Sequence, residues 1–245
     1  MATFAVILPA AGKSSRFRDP YFKKPFAPLD GRPVWIHVAE RFVNRDDVQQ
    51  TILVISPEDR EFFQQKYGGN AALLGVEVVD GGNERADSVE RALARVRPDI
   101  DYVCVHDAAR PCIAEAWITS VFAAAEKSGA AILAIPVAGT LKRVNADHTI
   151  EATISRDHLW EAQTPQVFRR DLLLKAYVAR QGFVATDEAQ LVERIGHPVT
   201  VVPGSLMNLK ITTQEDLRLA SQALKALPKL RLDGPAHPFK DDVLR

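Results

Sequence analysis

The sequence predicts an α/β fold built on a mainly parallel, doubly wound sheet. Three observations predict it: short apolar runs recur along the chain, segments of helical periodicity separate them, and the composition is that of an ordinary globular protein. Of 245 residues, 47% are hydrophobic and 25% charged, which suits one large buried core. Strands alternating with helices in this way imply a parallel sheet covered on both faces.

"FAVIL" (4–8) reads as the first buried strand. Trp35, Val38, Ala39 and Phe42 then fall at i, i+3, i+4 and i+7, one apolar face of a helix. "TILVIS" (51–56) and "VEVV" (76–79) read as the next strands, and Val89, Ala92, Leu93 and Val96 mark a second helical face. "YVCVH" (102–106), "AAILAIPV" (130–137) and "VTVV" (199–202) follow as strands. Thr186 reads as a helix N-cap with Asp187 and Glu188 in the first turn. Thr212-Thr213-Gln214-Glu215 reads as a capping box ahead of "DLRLASQALKAL".

One stretch, 137–168, breaks the rhythm. It lacks an amphipathic helix, and Asn145-Ala146-Asp147 forms a turn between "TLKRV" and "TIEATI", the signature of a hairpin. Such an arm, over roughly 138–160, exposes apolar residues unless something covers it; a dimer partner is the expected cover, with packing on its own domain the alternative. The expected organisation is one domain over 1–227 and a loose tail over 228–245, rich in proline and charge.

Bulk properties exclude several function classes. Lys+Arg and Asp+Glu both number 31, so no global field draws the chain to nucleic acid or an anionic membrane. Two cysteines, Cys104 and Cys112, make neither a disulfide framework nor a metal cluster. There is no apolar run long enough to span a membrane and no signal peptide, so a cytoplasmic protein is expected.

Gly12-Lys13-Ser14 resembles the end of a phosphate-binding P-loop, but the first glycine of that motif would be residue 7, which is Ile7. A different reading survives. Ala10-Ala11-Gly12 follows the first strand, where small residues let backbone N–H groups approach a base or phosphate. Arg16, Arg18, Lys23 and Lys24 follow, a local set of cations suited to a polyphosphate; a solvated basic loop is equally open on spacing alone. Gly81-Gly82, Asn83 and Ser88 form a strand-to-helix turn that could read a base edge, or an ordinary turn. Asp107 lies just past a central strand, where a carboxylate can hold Mg²⁺ between phosphates or simply pair with Arg110. His106 reads as a packed residue, because no second ligand is suitably spaced. Thr140, Lys142, Arg143, Arg156, Thr164 and Lys210 offer hydroxyls and cations for a second anionic group.

Together, "PAAGKSSRF", "KKPFAPLDGRPV", "VVDGGNERADSV", "VHDAARP", "PVAGTLKRV", "ISRDHLWEAQTPQVF", "TDEAQLVE" and "NLKITTQEDL" resemble the 2-C-methyl-D-erythritol 4-phosphate cytidylyltransferase family over roughly residues 4–222. "HDAARP" with "LWEAQTPQVF" carries most of the specificity. The resemblance implies a Rossmann-like nucleotidyltransferase fold, a homodimer built through the hairpin arm, and Mg²⁺ or another divalent cation. The implied reaction joins CTP and methylerythritol phosphate, releasing pyrophosphate. Arg16 and Lys24 match stabilisers around the triphosphate, and Arg156 and Lys210 match residues that position the substrate phosphate. Ala10, Ala11, Gly12, Gly82, Asn83 and Ser88 match cytidine-binding positions, and Asp107 the carboxylate near ribose and metal. Arg110, Thr140 and Thr164 match the methylerythritol phosphate pocket, with Arg156 and Thr164 placed on an arm that completes the partner's site.

Three residues depart from that pattern. Ser14 replaces a glycine, which requires negative φ or a hydroxyl that contacts phosphate. Pro25 replaces a glutamine after Lys24, stiffening the loop and removing an N–H. Asn83 replaces an aspartate but can still accept from a cytosine amino group. The alternatives are a ribitol-phosphate-type cytidylyltransferase, which shares fold and chemistry, and a non-catalytic nucleotide-binding module.

Overall fold

The computed structural model describes residues 1–19 and 21–228. Strand β1 (Phe4–Pro9) leads into the basic loop, which contains a single-turn 3-10 helix (Lys24–Phe26) and the two-residue strands β2 (Pro28–Leu29) and β3 (Arg32–Pro33). Helix α1 (Val34–Val43), β4 (Val48–Ile55), α2 (Arg60–Leu73), β5 (Val76–Asp80), α3 (Arg85–Leu93), β6 (Tyr102–Val105), α4 (Glu115–Ser128) and β7 (Ala130–Pro136) alternate after it. The hairpin β8 (Leu141–Val144) and β9 (Ile150–Ile154) precedes β10 (Trp160–Arg169), α5 (Arg170–Val178), α6 (Glu188–Arg194), β11 (Thr200–Pro203) and α7 (Gln214–Ala226).

Seven strands form the main sheet in the order β11-β7-β10-β6-β1-β4-β5. Pairings are parallel except at β10, which runs antiparallel to both β6 and β7. Strand β1 alternates its side chains between two cores. Phe4, Val6 and Leu8 join apolar residues of α1, α2 and α4; Ala5 and Ile7 join those of α3, α5 and α6. The sheet is therefore doubly wound. Strand order reverses at β1, with β4 on one side and β6 on the other, and ligands bind at such a switch beyond the carboxyl ends of the strands.

A third apolar cluster decides what the basic loop is. Phe17, Ala27 and Leu29 pack with Cys112, Ile211 and Ala220, so the loop is anchored against α7 rather than free in solvent. Phe17 alone, at 1% exposure, stabilises this arrangement by about 2 kcal/mol relative to an exposed ring. The loop is a fixed platform for its cations.

Several expectations need correction. The 137–168 stretch contributes β10 to the centre of the sheet, hidden from an apolar-run reading because Gln163, Thr164 and Gln166 are buried there with their polar groups paired. The N-cap before α6 is Asp187, whose side chain accepts from Gln190 N, while Thr186 lies one residue outside. The capping box of α7 is Thr213 with Asp216, one residue beyond the expected pair. Helices α2, α4 and α5 were not legible as periodic segments. The hairpin appears as expected, a separate two-stranded sheet with Val144 and Ile150 exposed and Leu159 and Trp160 exposed at its foot. Cys104 and Cys112 are buried free thiols, both pushed up by burial. No described helix is long and apolar enough to cross a membrane. The expected tail, apart from Pro228, lies outside the described residues.

Candidate active site

A cavity of about 880 Å³ opens at the switch point. Its walls come from the turns after β1, β4, β5 and β6, the Lys23–Pro25 segment and Lys210. Backbone hydrogen bonds hold these turns to the sheet: Ala10 N donates to Val54 O (2.7 Å), Gly81 N to Ile55 O (2.7 Å) and Ala108 N to Pro9 O (3.3 Å). Ala10, Ala11, Gly12, Lys24, Gly82, Asn83, Ser88, Asp107 and Lys210, all singled out from sequence, line this one cavity.

The glycine-bearing wall is tight where Gly81 and Gly82 meet their neighbours and open at Gly12. A Cβ on Gly81 would lie 2.6 Å from Ala11 Cβ and 2.8 Å from Ser88 Oγ. One on Gly82 would collide with Asp87. One on Gly12 would meet nothing within 4 Å. Ser88 Oγ accepts from Gly82 N (3.1 Å) and donates to Glu84 O (3.1 Å), so in this state it braces the turn.

The opposite wall is charged. Asp107 is buried, with Lys210 Nζ 2.7 Å from Oδ2, Arg85 Nη2 3.4 Å from Oδ1 and Arg110 Nε 3.8 Å from Oδ2. Burial alone would raise its carboxyl, but Arg85, Lys210 and Arg110 together hold it well below the usual range. Arg110 is thus a weaker partner of Asp107 than Lys210 is. Lys24 is shifted down by burial, then by the neighbouring charges of Lys210 and Arg16, with Asp107 pulling the other way. Among the described residues Lys24 makes no salt bridge. The cavity lining carries Lys13, Lys23, Lys24, Arg85, Arg91 and Lys210 against Glu58, Glu84 and Asp107, an excess of positive charge that suits a polyanion.

Other expected residues stand apart from the lining. Arg16 is exposed on the anchored loop, close enough to shift Lys24. Arg110 and Thr164 are buried behind Asp107: Thr164 Oγ1 accepts from Asp107 N (3.0 Å), and Arg110 Nη1 donates to Asn208 O (2.7 Å). Thr164 therefore lies in β10, against Asp107 of its own chain, and not on the arm. Thr140 and Arg156 are exposed near the hairpin, with Arg156 bonded to Ala138 O, and neither lines the cavity. His106 is buried and held neutral, its pKa lowered to about 4 by desolvation. Its Nε2 donates to Arg110 O (3.0 Å), which leaves Nδ1 to accept from Thr164 Oγ1 (3.1 Å).

The expectation for Ser14 fails in its first branch. Its φ is +53°, and its Oγ accepts from Lys24 N at 3.1 Å. Sequence reasoning also missed Arg85, which lines the cavity and bridges Asp107 to Glu188 (2.7 and 2.9 Å). Glu188 is 1% exposed and also accepts from Tyr177 OH (3.2 Å). Arg85 was visible inside the glycine-turn motif and Glu188 at a helix start, but not their pairing across 103 residues.

The family model described as IspD, 2-C-methyl-D-erythritol 4-phosphate cytidylyltransferase, matches residues 4–226. A relative of that name from Rhodopirellula baltica is 43% identical over 234 residues, 91% of this chain and 95% of the relative. Another, from Acidobacterium capsulatum, is 45% identical over 230 residues, 90% and 96% of the two chains. Among solved structures, the 2-C-methyl-D-erythritol 4-phosphate cytidylyltransferase of Thermus thermophilus superposes with TM-score 0.74 at 32% identity, covering 92% of this chain and all of that one. The Francisella tularensis enzyme of the same name gives TM-score 0.77 at 30% identity, covering 91% and 100%.

Proposed function

The chain belongs to the 2-C-methyl-D-erythritol 4-phosphate cytidylyltransferase family, and from that membership we propose which of its residues carry the reaction. The enzyme transfers CMP from CTP to 2-C-methyl-D-erythritol 4-phosphate and releases pyrophosphate. An oxygen of the substrate phosphate attacks the α-phosphorus of CTP in line. A new P–O bond forms as the bond to the β-phosphate breaks, and pyrophosphate leaves with the electron pair. The attacking phosphate is already largely ionised near neutral pH, so positioning and charge neutralisation suffice.

The positive lining of the cavity, with Lys24 and Lys210 in it and Arg16 near enough to act on Lys24, carries this reading. Ala10, Ala11, Gly12, Gly82, Asn83 and Ser88 cradle the cytidine, with Asn83 facing the base edge. Lys24 and Arg16 offset the charge that grows on the triphosphate oxygens as the α-phosphorus reacts. Lys210 and the partner subunit's Arg156 hold the attacking phosphate, with Thr140 near the same hairpin, while Arg110 and Thr164 stand behind Asp107 and fix its position beside the polyol.

A divalent cation fits this donor set in one way only. The described residues contain no cluster of three acidic, histidine or cysteine ligands, but Asp107 is ionised, buried and beside the cations. Mg²⁺ is commonly held by one carboxylate plus substrate phosphates, so Asp107 would hold it, and the ion would neutralise the triphosphate.

The exposed hairpin with Arg156 outside its own cavity supports a homodimer in which each arm completes the partner's site. The test is pyrophosphate release from CTP by the purified enzyme, with methylerythritol phosphate and ribitol phosphate compared. Turnover with the first alone is expected. Turnover with ribitol phosphate alone would overturn the substrate assignment, and CTP binding without any product would mark a binding module.

A further inference from the structure

Ser14 occupies left-handed backbone, φ +53°, a region that favours glycine. A serine there is strained unless its side chain gives something in return. It does: the Oγ accepts from the backbone N–H of Lys24 at 3.1 Å.

That N–H has few other options. Lys24 opens the single-turn helix Lys24–Phe26, and Lys23 before it supplies no side-chain cap. Pro25 has no N–H to donate, and Phe26 N already donates to Lys23 O at 2.9 Å. The first N–H groups of any helix need partners from outside it. Ser14 provides one from ten residues upstream, while Pro25 fixes the backbone on the other side of Lys24. The two departures from the family pattern therefore act on the same residue.

We propose that Ser14 is a positioning residue for Lys24: its hydroxyl clasps the lysine's backbone and, with Pro25, holds Lys24 in place before the nucleotide arrives. This rests on the reading that Lys24 acts on the reacting phosphate. The glycine that the family pattern carries leaves this N–H without that acceptor; this chain trades backbone freedom for a fixed lysine. The gain appears in the chemical step rather than in nucleotide binding, because preorganisation counts most where charge develops.

The test compares Ser14→Ala, Ser14→Gly and Ser14→Asn in full steady-state kinetics, with equilibrium CTP binding and thermal melting on each. Ser14→Ala and Ser14→Gly are expected to lower kcat about tenfold, the scale of one lost hydrogen bond, while KM and Kd for CTP stay within about twofold. Ser14→Asn keeps an acceptor and tolerates left-handed backbone, so it should recover most of the lost turnover. Glycine separates the two accounts, because it relieves the strain but removes the clasp. A Ser14→Gly enzyme as fast as the parent would overturn the proposal, as would an asparagine variant as slow as alanine. Lys24→Ala serves as the reference. If that variant turns over normally, the reading of Lys24 fails; if it is inactive while Ser14→Gly is unimpaired, only the clasp fails.

Discussion

Lys210 Nζ lies 2.7 Å from Asp107 Oδ2, nearer than either arginine that shares the same carboxylate. Asp107 is thus the common anion of Lys210, Arg85 and Arg110. Asp107→Asn would leave Lys210 and Arg110 without their carboxylate, while Arg85 keeps Glu188. Breaking a buried pair in this way costs about 3 kcal/mol, so the urea midpoint should fall with the slope unchanged. An unmoved midpoint would show that the cations relax into solvent at no cost.

His106 predicts a pH dependence of stability. Its pKa is about 4 in the fold, lowered by burial, against roughly 6.5 when unfolded. The unfolded chain therefore binds the extra proton first as pH falls. The stability associated with neutral His106 is complete above pH 6.5, declines between 6.5 and 4, and is lost as pH falls through the folded value. The decline amounts to roughly 3 kcal/mol at most, at 1.36 kcal/mol per unit. Denaturation curves at a series of pH values should show it, and His106→Asn should flatten that segment. An identical slope in the variant would assign the decline to other groups.

Lys24→Ala should reduce kcat at least a hundredfold while changing CTP affinity less than about tenfold, since its charge matters most as the α-phosphate reacts. Steady-state rates and calorimetric CTP binding separate the two effects. A loss confined to affinity would place Lys24 in ground-state binding alone.

Arg156 on the arm and Lys24 in the cavity predict complementation between chains. Lys24→Ala and Arg156→Ala enzymes should each be nearly inactive. Mixed and allowed to exchange, they should recover roughly a quarter of parent activity, because half the dimers are mixed and one site in each is intact. A mixture that stays inactive would mean that both residues serve the same chain's site.

Much of this architecture was legible in the chain itself. Buried parallel strands such as "FAVIL" are continuous apolar runs, so they stand out without their neighbours. The cavity lining was legible because each turn joins a strand end to the same edge of the sheet. Strand β10 was not, since Gln163 and Gln166 look like surface residues until their partners at Ser205 and Glu188 are in place. Thr164 was misplaced for the same reason. The Arg85–Glu188 pair also lay beyond reach, because it depends on α3 and α6, far apart in the chain, meeting on one face of the sheet.

Strand β10 has one more consequence. Trp160, at the foot of the hairpin, and Thr164, bonded to Asp107 N, belong to the same strand. The strand is in regular register with β7 at Trp160–Ala162 and again from Gln166, with an irregularity between that places Thr164, so gaining or losing one residue there would shift Thr164 from Asp107 N or displace the hairpin foot. Surface turns elsewhere can lengthen or shorten as lineages diverge, but this short interval cannot. In descendants of this gene, codons 160–164 should accept exchanges of side chain far more readily than any change in their number.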